Sequence, residues 1–164
     1  MKTLLLMRHG KSSWKDQDIP DHERPLKKKG KKDSEKMGEM LKDQHLVPDS
    51  VLSSTAKRAR STAEIVTEAC KFDGEIQYLD SFYHAETSDY LDVLSHLADE
   101  VDCVLIIGHN PSLEAFVQIL SNDIEALPTA AIARIELPVS NWSELGEKSY
   151  GKLINLWSPR SIED

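Results

Sequence analysis

The sequence predicts an α/β domain of three layers, with helices on both faces of a central, mostly parallel sheet. Three observations carry that expectation. Short apolar runs alternate with stretches of helical spacing in the order βαβαβαβα, followed by two further strands, as successive βαβ units require. Residues 103–107 form an unbroken apolar and β-branched run ending at Gly108, the pattern of a central strand covered on both faces. No repeat, low-complexity tract or linker interrupts the 164 residues, so a single domain, 1–164, is expected. That length can bury a core without disulfides or metal.

Taken in order, residues 3–7 are a short apolar run ending at a charged pair and read as a buried strand. Residues 31–42 read as a helix with Met37, Met40 and Leu41 on its apolar side. Val51 and Leu52 mark a weaker strand. Residues 57–70 carry Ala59, Ala63, Ile65, Val66 and Ala69, which suits a helix with one apolar face. Residues 75–78 read as a strand, and 88–100 place Leu91, Leu94, Leu97 and Ala98 at helical spacing. After the central strand, residues 112–120 read as a helix with Pro111 at its first turn. Residues 132–137 and 153–157 read as closing strands.

Composition is that of an ordinary globular chain, 40% hydrophobic and 29% charged. The apolar stretch at the N-terminus is too short for a signal-peptide core or a membrane span, so a cytoplasmic protein without membrane partners is expected. Cys70 and Cys103 sit in or beside apolar runs and read as two buried thiols. The net charge of −8 argues against nucleic acid as a partner. The charge is unevenly placed, however. Residues 1–36 hold eleven Lys and Arg against six Asp and Glu, and the remainder hold nine against twenty-two. The basic excess centres on Lys27, Lys28, Lys29, Lys31 and Lys32. It reads either as a solvated helix start or as an approach surface for an anionic substrate.

Two strands end alike. Residues 3–7 run into Arg8-His9-Gly10, and residues 103–107 run into Gly108-His109-Asn110-Pro111. Both therefore deliver a histidine to one edge of the sheet, where ligands of parallel sheets bind. A neutral imidazole can attack phosphorus, and a second can donate to a phosphoryl oxygen. The segment 53–62 follows the weak strand and opens a helix; Ser53, Ser54 and Thr55 could cap it. Arg58 falls in its first turn, where a cation opposes the helix dipole unless it reaches an anion drawn to the same place. Arg60 points elsewhere on the helix.

Leu5-Leu6-Met7-Arg8-His9-Gly10 resembles the strand and Arg-His-Gly motif of the histidine phosphatase superfamily, which includes cofactor-dependent phosphoglycerate mutases. Arg58-Ala59 and Gly108-His109 match its other phosphate-pocket motifs in the same order. The nearer resemblance is to SixA-type phosphohistidine phosphatases. It runs through Arg8-His9-Gly10-Lys11-Ser12-Ser13-Trp14, then Arg24-Pro25-Leu26 followed by Gly30, then Gly108-His109-Asn110-Pro111. The resemblance implies a phosphoglycerate mutase-like fold, His9 as a nucleophile that becomes a phosphohistidine, and Arg8, Arg58 and His109 as a pocket for phosphoryl oxygens. Arg24 matches a further phosphate-binding arginine of SixA-type enzymes; the alternative for it is a salt bridge to Asp21 or Glu23.

The charge of a phosphoryl group in transfer calls for fixed cations and donors around its oxygens, and the planar fork of arginine serves two oxygens at once. No Walker-type glycine loop or zinc-spaced Cys/His cluster is present, so no cofactor and no metal are expected. Many superfamily members place a Glu or Asp general acid after the third strand. Here Asp80 and Glu86 are the acids on offer, with Tyr83 and His84 as outsiders, and Glu86 reads equally as a charge preceding a helix. The function expected is a metal-independent phosphatase acting on phosphohistidine proteins or small phosphomonoesters. The alternatives are a mutase-like phosphotransferase and a non-catalytic phosphate-binding module.

Overall fold

The computed structural model describes residues 1–16, 18–146 and 150–162. Its strands are β1 (Lys2–Arg8), β2 (Ser50–Ser54), β3 (Ile76–Leu79), β4 (Cys103–Gly108), β5 (Ile132–Leu137) and β6 (Lys152–Trp157). Its helices are α1 (Lys28–Asp43), α2 (Lys57–Cys70), α3 (Thr87–Leu94) and α4 (Ser112–Ser121). The strands form one sheet in the order β3-β2-β4-β1-β5-β6. The first four are mutually parallel, β5 runs antiparallel to β1, and β6 antiparallel to β5.

The period of two along β1 divides the core. Leu4 and Leu6 join Val104, Ile106, Leu113, Phe116 and Tyr90 on the face covered by α3 and α4. Leu5 and Met7 join Leu105, Ile107, Met37, Leu41, Ala63 and Val66 on the face covered by α1 and α2. Burying each such Leu or Met contributes about 1.5–3 kcal/mol. The handedness of βαβ crossovers explains the division. The chain moves along the sheet in one direction through α1 and α2, then reverses through α3, and a right-handed connection must then change face.

That reversal positions the site. The chain leaves β1 toward one face and its neighbour β4 toward the other, which opens a crevice beyond their carboxyl ends. Arg8 pairs with Gly108 in the parallel register, so His9 and His109 emerge side by side. The His9 backbone is held from both sides: its N–H donates to the Gly108 carbonyl (3.1 Å) and its carbonyl accepts from Ala130 N–H (3.0 Å). The chain after His9 then runs tight against α1. A Cβ on Gly30 would lie 2.2 Å from the Lys11 carbonyl oxygen, so only glycine permits this approach.

Several expectations need adjustment. The helix expected over 88–100 ends at Leu94, because Ser95 Oγ and His96 Nδ1 both engage the Asp92 carbonyl and the next turns close as tight i,i+3 bonds. Helix α1 starts at Lys28, three residues earlier than its apolar pattern shows, because its first two residues are exposed lysines and the third is a glycine with no side chain. Pro111 is the residue before α4, and the Asn110–Pro111 bond is cis. Of the two free thiols, Cys70 is buried and Cys103 only partly so.

Candidate active site

The cleft beyond β1 and β4 has a volume of about 660 Å³, and Arg8, His9, Arg24, Arg58 and His109 all line it. Trp14 and Lys27 also line it, as do Tyr83, His84 and Glu86.

His9 is buried at 7% exposure, and its Nδ1 lies 2.7 Å from the Gly10 carbonyl oxygen. A carbonyl can only accept, so Nδ1 carries the proton and Nε2 keeps its lone pair. Gly10 is fixed in turn, since its N–H donates to Thr62 Oγ1 on α2 (3.0 Å). Burial pushes the His9 pKa down to about 4, and the charges of Arg58, Arg8 and Arg24 push the same way against the hydrogen bond to Gly10. The ring is therefore neutral across the physiological range.

His109 stands 5.1 Å from His9, ring centre to ring centre, with the planes at 56°. Its Nε2 is 2.8 Å from Ser54 Oγ at the end of β2. The same hydroxyl accepts the Ala56 N–H (3.2 Å), so Ser54 serves the turn into α2 and the histidine together, and α2 has no side-chain cap at its N-terminus. Burial, then the neighbouring His9 and Arg58, lower the His109 pKa to about 3.

The arginines are held by specific acceptors. Arg8 Nη1 donates to the Leu127 carbonyl (3.1 Å), which also accepts from Asn110 Nδ2 (2.9 Å). Arg58 donates through Nη1 to the Asp21 carbonyl (2.7 Å) and through Nη2 to Asp21 Oδ2 (3.0 Å). The Nε atoms of Arg8 and Arg58 are buried without a hydrogen-bond partner among the described residues. Arg24 donates through Nε to Asp21 Oδ1 (3.0 Å) and through Nη1 to Ser12 Oγ (2.8 Å), while the Trp14 ring covers its guanidinium at 3.5 Å. Arg24 thus lines the cleft and also makes the salt bridge to Asp21. Arg60 lies over the Tyr78 ring (5.2 Å), away from the cleft.

Asp21, named from sequence only as a possible partner of Arg24, has a wider role in the structure. Its one carboxylate binds Arg24 on one oxygen and Arg58 on the other, and accepts the Tyr83 hydroxyl at 2.6 Å. The Tyr83 hydrogen bond, then those from Arg24 and Arg58, hold the carboxyl far below its usual range. It is thus a permanent anion with no proton to give. The spacing Asp21-x-x-Arg24 on a short 3-10 turn was the only signal available; the tie to Arg58, 37 positions away, was not legible.

The two acids proposed from sequence differ in place. Asp80 opens a 3-10 turn, is exposed, and is not among the residues lining the cleft. Glu86 does line it, but its carboxylate accepts the Asp89 N–H in a reciprocal capping box at the start of α3. Tyr83 and His84 line the cleft as well, with ring centres 4.0 Å apart; His84 turns the chain there with φ of 58°.

A buried neutral imidazole, a second, half-buried histidine beside it and three anchored guanidinium groups gather at a sheet switch point, a setting suited to phosphoryl groups. The model of the histidine phosphatase superfamily (branch 1) matches residues 4–90, and the chain belongs to that superfamily. It is a phosphatase.

The structure of the protein histidine phosphatase SixA in complex with tungstate is 26% identical, with a TM-score of 0.84 over 98% of this chain and 99% of that one. A candidate SixA phosphohistidine phosphatase of Agrobacterium tumefaciens is 27% identical, with a TM-score of 0.82 over 96% and 98%. An uncharacterized Mycobacterium tuberculosis protein, Rv1276c, is 28% identical over 94% of this chain and its own whole length. The phosphoglycerate mutase of Streptomyces avermitilis matches over only 68 residues, 27% of its length. Among the described residues no helix is long and apolar enough to cross a membrane.

Proposed function

We propose that the protein removes phosphate from phosphohistidine, carried on a protein, by way of a covalent phosphohistidine at His9, without a metal. The observation that carries this reading is the Nδ1 bond of His9 to the Gly10 carbonyl, which leaves Nε2 as an unprotonated nucleophile in a cleft lined by Arg8, Arg58 and His109.

In the first step His9 Nε2 attacks phosphorus and the bond from phosphorus to the substrate nitrogen breaks. With the other ring nitrogen of the substrate protonated, the departing imidazole leaves neutral. Phospho-His9, its Nδ1–H still donating to the Gly10 carbonyl, is chemically the same kind of group as the substrate, so the transfer is close to balanced. In the second step water attacks phosphorus, the bond to Nε2 breaks, and the water's proton goes to phosphate or solvent. Arg8, Arg58 and His109 serve the phosphoryl oxygens in both steps, and Arg24 adds a further cation.

The substrate class follows from the acids. An alkoxide leaving group needs a proton in the transition state, which a placed acid makes about a hundredfold to ten-thousandfold faster. The carboxylate nearest the arginines, Asp21, is held ionised, and that of Glu86 is engaged as a cap. Phosphohistidine and aryl phosphates need little such help. The likeness to SixA, whose tungstate complex places a phosphate-like oxyanion on that protein, supports the same reading.

The test is kcat/KM across leaving groups of rising basicity, in wild type and in Asp80→Ala and Glu86→Ala, with EDTA present. A steep fall toward alkyl phosphates, unchanged by either substitution or by EDTA, is expected. Alkyl phosphates turned over as fast as phosphohistidine, with that activity lost on one of the two substitutions, would make the protein a general phosphomonoesterase.

A further inference from the structure

A second groove, of about 650 Å³, runs beside the cleft and shares its lining residues Trp14 and Lys27. Lys15, Lys28 and Lys29 line it over a floor that includes Pro25 and Leu26. We propose that this groove docks an acidic protein surface surrounding the phosphorylated side chain, so that the substrate is selected by its flanking carboxylates as well as by its phosphate. This rests on the phosphohistidine reading above and adds to it the character of the partner.

Three observations argue for it. The chain is strongly acidic overall, yet the basic excess within residues 1–36 converges on the edge of the catalytic cleft. An acidic partner is thus repelled from most of the surface and attracted at this edge. The lysines also sit where the helix disfavours them. The first turn of α1 contains Lys28, Lys29 and Lys31 and no acidic residue, although the positive end of the helix dipole lies there. Of these three, Lys29 pairs along the helix with Asp33 at 3.4 Å. Residues that oppose their own helix and still face solvent are readily explained by a partner of opposite charge.

Finally, Trp14 is 67% exposed with one face laid on Arg24, so its other face is available between groove and cleft. Large exposed aromatics at the centre of a charged rim suit a binding anchor. The nearby carboxylates, Asp16 and Asp21, line a separate small pocket with Trp14 and Arg24.

The test uses two synthetic phosphohistidine peptides that differ only in four flanking residues, all glutamate or all lysine, beside an aryl phosphate as the small substrate. Lys15→Glu combined with Lys28→Glu removes charge from the groove without touching any residue of the cleft. Since a glutamate at the start of α1 favours the helix dipole, the variant keeps or raises the melting temperature.

Wild type is expected to prefer the glutamate peptide by about tenfold or more in kcat/KM, mainly through KM, and to lose that preference as salt is raised. The double variant is expected to lose it at all salt concentrations while its aryl phosphatase rate stays within about twofold. Affinity of both peptides for the His9→Ala protein, measured by calorimetry, is expected to follow the same order, and it reads docking even where turnover fails. Equal kcat/KM and equal affinity for the two peptides in wild type overturn the docking proposal. So does a preference that survives the double substitution. Absence of turnover with all three substrates, with the affinity difference intact, overturns the function and leaves the docking surface standing.

Discussion

The carboxyl ends of β1 and β4 look alike in the chain and are different devices in space. Each presents a histidine beside a glycine, His9 buried and His109 half-buried, and the two rings stand 5.1 Å apart. His9 is tied to a backbone carbonyl, which can only accept and so dictates the tautomer. His109 is tied to the Ser54 hydroxyl, which can give or take a proton and so leaves the tautomer free. A locked ring suits a nucleophile whose lone pair must always face one way. An adaptable ring suits a partner that answers to charge developing on oxygen. Position at a strand end thus brings both rings to the cleft, and the first hydrogen-bond partner sets how freely each can change tautomer.

The largest expected effect separates the two. His9→Ala should lower turnover by about a thousandfold or more, as nucleophile removal does, and leave no acid-labile phosphoprotein after incubation with labelled substrate. His109→Ala should cost only about a hundredfold, the scale of one oxyanion donor, and still form the labelled intermediate. Equal losses, with the label missing from both, would erase the distinction.

Next comes Asp21→Asn, which weakens the anchor shared by Arg24 and Arg58. Misplacing a positioning group by about 1 Å can cost a hundredfold, so kcat/KM should fall by about ten- to a hundredfold, with weaker inhibition by vanadate. Unchanged vanadate affinity would mean that the arginines are held without it.

Smaller still, Ser54→Ala removes the adaptable partner of His109 and should lower kcat by about tenfold or less, since one hydrogen bond contributes about 0.5–1.5 kcal/mol. A loss as large as that of His109→Ala would show Ser54 to be an equal member of the site.

The mildest test perturbs nothing. Histidine ring resonances followed from pH 8 to 3 in phosphate-free buffer should place His9 near 4 and His109 near 3. Both lie below the value of about 6.5 for an unfolded chain. Between those values the unfolded state takes up protons that the folded state refuses. Stability is therefore complete above about pH 6.5 and declines as the pH falls through that window. Either histidine titrating near 6.5 would mean that its ring is solvated and the site open.

Much of this was legible in the chain because it depends on local order. The alternation of apolar runs prescribes three layers, and the unbroken run before Gly108 marks β4 as central. Strands that end in Arg8-His9-Gly10 and Gly108-His109 put two histidines at one sheet edge, since parallel strands share an edge. Arg58 in the first turn of α2 could be named for the same reason, and Arg24 before Pro25 through the resemblance to SixA-type enzymes. What only the tertiary structure decided is the pairing of groups far apart in the chain. Asp21 closes on both Arg24 and Arg58, Ser54 reaches His109, and Asp80 falls outside the cleft while Glu86 turns to its own helix. A carboxylate has no periodicity to betray its partner. Whether it is an acid, an anchor or a cap is settled by which donors lie within about 3 Å, and that distance exists only once the sheet has brought the strand ends together.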